Sequence, residues 1–355
     1  MKSSSPLARI MSVPGMPMTF VLIITVVVFQ MLNPVFLDAS TLGNYITNGI
    51  PIILITLGVA IVIMGGGIDL SVGTVAGLSA GMTMFAFVNG APLAVGIAVG
   101  CGTGLVFGLV NGFLVAYLRI NDFIVTLATL NIAAGLLVVL TQVQPLQGVD
   151  VPGFPELTKS DVFGIPTSLL IAAAVFVIAQ IILAKTVLGR RLYAVGISAQ
   201  ASNVAGVSVP HVRLMSFAAS GLLAGLAGVL LASRLGAVQA FLGIGYEFIA
   251  IAGAVIGGIT LAGGNGNAWA ALVGGFFLVT LQQGLRLNNV DPVYFSIVTA
   301  LAIVFGVVFE HQVRRVILRT ALQRTSALSD QRATTAAVSA RSAAAESSEG
   351  NDDEK

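Results

Sequence analysis

The eighty positions between Asp38 and Arg119 hold one charged side chain, Asp69, and it stands in the run Gly65-Gly66-Gly67-Ile68-Asp69-Leu70-Ser71-Val72-Gly73. A carboxylate beside hydrocarbon is expensive, so a lone Asp among glycines between two apolar stretches marks a loop with a job. At the start of a helix such a group accepts hydrogen bonds from free backbone N–H groups and opposes the positive helix end. The residues leave two readings open, a helix cap and a solute contact. Arg234, Glu247 and Arg286 are the other ionisable side chains expected in or near spans, mostly at their edges.

Other chemistry is missing. A phosphate-binding loop needs Gly-Lys followed by Ser or Thr. The four lysines are Lys2, Lys159, Lys185 and Lys355, and none follows a glycine. One cysteine, Cys101, leaves no disulfide within the chain and no Cys-x-x-Cys pair. His211 and His311 fall at span ends, far apart, and read as solvated or capping groups. No catalytic, metal or cofactor site is expected, and no enzyme activity in this chain.

The elements that position Asp69 follow from composition. The chain has 355 residues, 56% hydrophobic and 9% charged, with a mean hydropathy of +0.98. Soluble domains carry roughly a quarter charged residues, so the bilayer must be the main solvent. A spanning helix needs about 20 largely apolar residues. Ten such stretches are expected: 18–36, 43–64, 70–88, 92–117, 123–142, 165–185, 210–233, 246–262, 268–285 and 293–309. The fold class is therefore an all-α polytopic membrane protein, a bundle of about ten transmembrane helices with short glycine-rich loops. Lys2 and Arg9 before the first stretch resemble a signal peptide, but no small-x-small cleavage site follows, and a retained anchor is the reading.

With the N-terminus in the cytoplasm, eleven Lys and Arg up to Arg324 fall inside and only Lys159, Arg234 and Arg286 fall outside, the bias of the positive-inside rule. Residues 1–17 are then a cytoplasmic segment and 18–310 the membrane domain. Residues 311–355 form a cytoplasmic tail, basic at first and then Ala/Ser/Thr-rich, which cannot bury a core and reads as disordered. The longest outside loop, 142–165, is proline-rich and reads either as an ordered cap or docking surface, or as a solvated loop.

Glycines organise the bundle. Gly96, Gly100, Gly104, Gly108 and Gly112 repeat at four-residue spacing, and Gly221, Gly225 and Gly228 nearly do so. Small residues on one face let helix backbones approach closely. A second glycine loop, Gly257-Gly258-Ile259-Thr260-Leu261-Ala262-Gly263-Gly264-Asn265-Gly266, looks like the first and hints at an internal repeat, of a kind seen in transporters.

With few carboxylates in mid-membrane, energy for uphill transport has to come from a partner. The longest inside loop offers the contact. Within it Ser198 is a candidate N-cap for a short helix 199–205, and Gly206 its stop. A helix docking in a groove of another protein and a basic loop at lipid headgroups stay equally open on these grounds.

Four blocks, in order over roughly residues 40–310, resemble the ribose/xylose-type ABC transporter permeases. They are Gly66-Gly67-Ile68-Asp69-Leu70-Ser71-Val72-Gly73, then Phe123–Leu130, then Leu188-Gly189-Arg190-Arg191-Leu192-Tyr193-Ala194-Val195-Gly196, then Gly245-Tyr246-Glu247 with Gly257–Gly264. The resemblance implies the permease subunit of an ATP-driven importer in a bacterial cell membrane. An extracytoplasmic solute-binding protein would deliver a sugar or sugar-like solute. A second permease copy or paralogue would complete the path, and separate ABC ATPase subunits would drive it. The partners implied are these proteins and the lipid bilayer, with no nucleic acid. The resemblance further implies a signature loop of Gly66, Gly67, Asp69, Ser71 and Gly73. It implies coupling to the ATPase through Gly189, Arg190, Arg191, Tyr193, Gly196, Ser198, Ala201 and Gly206. The second glycine loop contributes Gly257, Gly258, Thr260, Gly263 and Gly264. The sequence departs from the family pattern at Ala199, where an acidic residue is common, and at Asn203, where a basic one is. The competing readings are a self-contained secondary carrier or channel for a small polar solute, and a non-transport membrane scaffold.

Overall fold

The computed structural model describes residues 13–147 and 151–295, with positions 297, 298, 300, 301, 304 and 308 beyond them. The tail 311–355 and the start of the N-terminal segment lie outside the described residues, as does much of the expected span 293–309. The described residues form a helical bundle. Six helices are long and apolar enough to cross a membrane: α2 (Ala39–Met64), α4 (Leu93–Ala116), α5 (Asp122–Thr141), α7 (Thr167–Lys185), α10 (Val209–Leu235) and α12 (Ala268–Leu287). Three shorter apolar helices accompany them: α1 (Met16–Leu32), α3 (Val72–Val88) and α11 (Tyr246–Ile256).

The long helices differ in what surrounds them. α2 is buried along nearly all of Gly49–Met64, and α3 along nearly all of Val72–Met84. A helix that is apolar all round belongs in the middle of a bundle. α4, α5 and α7 bury narrow stripes only, and leave Val106, Phe113, Ile124, Val139 and Ile178 exposed in the isolated chain, as a lipid-facing wall requires. The tightest pair is α4 against α10. A Cβ on Gly104 would run into the Gly221 carbonyl and the Gly225 backbone, and one on Gly108 would meet the Phe217 carbonyl. Gly100, Gly104 and Gly108 with Gly221 and Gly225 thus form the two sides of one interface, while Gly96 and Gly228 pack on α3.

Where expected spans shorten, the chain has turned. The first helix stops at Leu32, and a 3-10 turn, Pro34–Leu37, replaces its expected last turn. The eighth span, expected over 246–262, is an 11-residue helix ending at Ile256. Eleven residues rise about 16 Å, half of a hydrocarbon core of about 30 Å. Before it, Gly243 and Gly245 take φ of +91° and +89°, which folds the chain against α3. Cβ positions on Gly73 and Gly77 would strike the Gly243 and Leu242 carbonyls there.

At the other side of α10 the segment between α5 and α7 is ordered where described. Strand β1 (Leu146–Gln147) pairs with β4 (Ala237–Val238), and β2 (Asp161–Val162) with β3 (Ile165–Pro166). Between them lies the one-turn helix α6 (Glu156–Lys159). Its Thr158 hydroxyl bonds the Ser233 hydroxyl at 2.9 Å, and Ser233 Oγ donates to the Phe154 carbonyl at 2.6 Å. This segment is therefore a cap pinned to the end of α10, the ordered form of the two readings of 142–165.

Candidate functional site

The signature loop is held from inside the bundle. The N–H of Ile68 donates to Asp122 Oδ2 at 2.8 Å. Asp69 Oδ1 accepts from the Ser71 N–H at 3.0 Å and the Ser71 hydroxyl at 2.7 Å, and Asp69 Oδ2 accepts from the Ser220 hydroxyl at 2.9 Å. Asn111 Nδ2 donates to Ser71 Oγ at 2.9 Å. All four of Asp69, Ser71, Asn111 and Ser220 are 2% exposed or less, so this is one dry polar cluster joining the loop to α4 and α10. Ser220 stands eleven residues into α10, about 16 Å from its start. Asp69, between the end of α2 and the start of α3, accepts the Ser71 N–H at the head of α3, in keeping with the cap reading of the sequence, and it also ties the loop to α10 through Ser220. Asn111, Ser220 and Asp122 were not singled out in the sequence. The signal for the first two was each one's place in a glycine series, Asn111 beside Gly112 and Ser220 beside Gly221.

Gly66, Gly67 and Gly73 serve close approach. Gly66 packs on the Gly196 backbone, a Cβ on Gly67 would come within 3.4 Å of Asp122 Oδ2, and one on Gly73 would collide with Glu247 Oε2. Glu247 is 2% exposed in the first turn of α11, where the helix dipole favours a carboxylate. Its Oε1 accepts from the Gly245 N–H at 3.0 Å, while Oε2 has no protein partner.

The segment between α7 and α10 folds into two helices, α8 (Val187–Ile197) and α9 (Ala199–Val204). Thr186 caps α8, its hydroxyl accepting from the Gly189 N–H, and Gly189 lies against the Ile182 and Leu183 carbonyls. Arg190 and Arg191 are exposed. Ser198 is the N-cap of α9, its hydroxyl accepting from the Ala201 N–H at 3.2 Å. Gly206, at φ +80°, turns the chain after it. The short helix and both of its signals therefore stand where the sequence put them.

α8 then plugs into both glycine loops. Leu192 is buried beneath Gly65, and Tyr193 donates its hydroxyl proton to the Gly266 carbonyl at 3.0 Å. Burial pushes the Tyr193 phenol up, which keeps that donor protonated. Gly196 lies so close to the Met64 carbonyl and the Gly264 N–H that a Cβ would not fit, and Gly263 packs on Gly66 and Gly196. Within the second loop the Gly263 N–H donates to the Thr260 carbonyl at 2.9 Å, Gly257 lies on the Ala270 carbonyl, and Gly258 turns at φ +99°. The surface left over is part apolar and part charged. Ile197 and Val204 are 74% and 87% exposed, and a groove of about 510 Å³ beside α9 is lined by Arg119, Asn121, Gln200, Asn203 and Arg213.

Among the described residues no three of His, Cys, Asp and Glu come together as metal ligands. His211 is exposed at the start of α10, and His311 lies outside the described residues. Gly77-Leu78-Ser79-Ala80-Gly81 spells a nucleophile-elbow pattern, but it runs through the middle of α3 with Ser79 fully buried, so the strand-to-helix turn that chemistry needs is absent there.

Residues 41–307 match the family described as the branched-chain amino acid transport system / permease component. The ribose import permease protein RbsC of Bacillus subtilis (strain 168) is 36% identical over 292 residues, 82% of this chain and 91% of its own length. RbsC of Haemophilus influenzae is 32% identical over 295 residues, 82% of this chain and 91% of its own. The L-arabinose transport system permease protein AraH of Escherichia coli (strain K12) is 34% identical over 312 residues, 87% and 93%. No solved structure matches the chain.

Proposed function

This chain belongs to the branched-chain amino acid transport system / permease component family, and on that premise we propose that it is the membrane permease of an ATP-driven importer whose cargo is a sugar or sugar-like solute. Relatives bearing ribose and arabinose import names support the cargo class. A binding protein outside delivers the solute, a second permease copy or paralogue completes the path, and ATPase subunits press from the cytoplasm. Ten crossings, with both termini inside, fit the six long apolar helices, the three shorter ones and the stretch 293–309.

One observation carries the coupling role. α8 is joined to both glycine loops at once, through Leu192 to Gly65 and Gly196 to Gly66 in the first and through Gly196 to Gly264 and Tyr193 to Gly266 in the second, and α9 follows it after the single residue Ser198. A push on α9 therefore reaches α2, α11 and α12 as a rigid body, with no loose linker to absorb it. Gly189, Arg190, Arg191, Ser198, Ala201 and Gly206 shape that lever. The Asp69 cluster holds α2–α3, α4 and α10 together while it moves.

The test is reconstitution of the chain with its ATPase subunit in vesicles. Uptake of labelled sugar is expected only with ATP and a loaded binding protein. Uptake by the chain alone, driven by an ion gradient, would instead make it a secondary carrier.

A further inference from the structure

At the capped end of the bundle a polar cavity of about 500 Å³ opens, lined in part by α2, the cap and the last turn of α10. None of the coupling machinery uses it. On α2 its wall carries Ser40, Asn44 and Thr47, spaced four and three apart and so on one helix face. A polar face on a spanning helix is costly against lipid. Here it lines a polar recess. Opposite stand Asp161 of the cap and the half-buried Arg234 of α10. The wall is rigid, because Ser233, next to Arg234, is bonded to both Thr158 and Phe154, and the Ser160 and Thr167 hydroxyls meet at 2.9 Å.

The lining mixes hydrogen-bond types at close range. Lys159 and Arg234 only donate, the Asp161 carboxylate only accepts, and Asn44 with the hydroxyls does both. Each hydroxyl of a polyol also does both, so such a solute satisfies this wall from many orientations. The volume falls within the usual range for small-molecule sites, about 300–1,000 Å³. We propose that this cavity is a receiving site on the outer face for a neutral polyhydroxylated solute of monosaccharide size, held by Asn44, Asp161 and Arg234. The inference rests on the importer reading for which side is outer and for the cargo class.

Gly43 lines the same cavity, and a Cβ added there meets nothing within 4 Å. Gly43→Cys in a Cys101→Ser background therefore puts a thiol into the recess without touching the packing. The first readout is its rate of modification by a charged, membrane-impermeant thiol reagent, with D-ribose, L-arabinose or D-galactose added in turn. At least one of these sugars is expected to slow modification several-fold, and Asn44→Ala is expected to remove that protection. The second readout is ATP-driven uptake in the reconstituted importer, expected to fall several-fold once Gly43→Cys is modified, while hydrolysis stimulated by the binding protein persists. Absence of protection by all three sugars, or undiminished uptake after full modification, overturns the proposal. Loss of stimulated hydrolysis on modification overturns it too, and makes the recess a seat for the binding protein. Failure of the importer reading itself appears elsewhere, as absence of ATP-driven uptake by the unmodified protein, and the protection assay does not depend on it.

Discussion

The N–H of Gly264 donates to the carbonyl of Met64 across 2.9 Å, joining the second glycine loop to the last residue of α2. These residues are two hundred positions apart, and Gly196 of α8 lies directly on the bond between them. Three segments that share no sequence neighbourhood thus meet through backbone alone. That is why glycine stands at 196 and 264, where a Cβ would strike backbone, and why the junction can carry force between α8, α2 and α12.

Gly196→Ala places a methyl group against the Met64 carbonyl and the Gly264 backbone, atoms that cannot swing aside. Overpacking of this kind costs about 1–3 kcal/mol. The expected result is a lower unfolding temperature in detergent and ATP hydrolysis no longer stimulated by the binding protein. Gly206→Ala is the control. It faces open space, and its cost is that of a left-handed residue, roughly 1 kcal/mol. Equal thermal loss in the two variants would mean that the junction is not tight.

Ala201→Pro removes the N–H that Ser198 Oγ accepts at the head of α9. Ala201 is in the first turn of α9, so the cost is below the roughly 3 kcal/mol of a helix interior, but proline there also disfavours the helical conformation of Gln200 before it. Normal membrane insertion is expected, with ATPase subunits lost on co-purification or retained without stimulated hydrolysis. Ser198→Ala should show the same defect more weakly, since losing an N-cap costs about 1 kcal/mol. Import by Ala201→Pro at the wild-type rate would remove α9 as the coupling element.

Asp69→Ala strips the acceptor from the buried Ser71 and Ser220 hydroxyls, which costs about 1–3 kcal/mol for groups left unpaired. Asp69→Asn keeps an acceptor, and its amide can donate to Ser220. Folded yield should therefore rank wild type, then Asn, then Ala, with the preference among sugars unchanged in all three. A changed preference would put Asp69 in contact with solute.

Gly104→Val sets a branched side chain where the Gly221 carbonyl and the Gly225 backbone now sit. α4 and α10 must then separate, which also stretches the Asn111–Ser71 and Ser220–Asp69 bonds that join both helices to the signature loop. Loss of most folded protein is expected by size-exclusion chromatography in detergent. Gly102→Val is the comparison, because a Cβ at Gly102 meets nothing, and it should fold at the wild-type yield.

Lys159 and Arg191 are both exposed and lie on opposite sides of the proposed topology. In a Cys101→Ser background, impermeant reagent added to intact cells should label Lys159→Cys and spare Arg191→Cys. The reverse pattern would invert the orientation and end the assignment of α8 and α9 to the cytoplasm.

The sequence by itself determined what depends on local chemistry and on solvent. The absence of charge over 39–118 apart from Asp69 required lipid. Four-residue glycine spacing required a close helix pair, and Ser198 with Gly206 bounded α9, because caps and turns are decided within a few residues. Tertiary structure decided the rest. Gly65–Gly73 and Gly257–Gly266 looked alike, but nothing in either run says that they meet across Gly196. Ser71 takes its distant partner Asn111 from α4, 40 positions away, and Asp69 takes Ser220 from α10, 151 positions away, and no local pattern makes either pair. The half-length α11 was read as a longer helix, since hydropathy is the same whether an apolar segment is helical throughout or helical over only half its length. Only the packing of Leu242 and Gly243 on α3 forces the turn before it, because it leaves room for backbone and nothing larger.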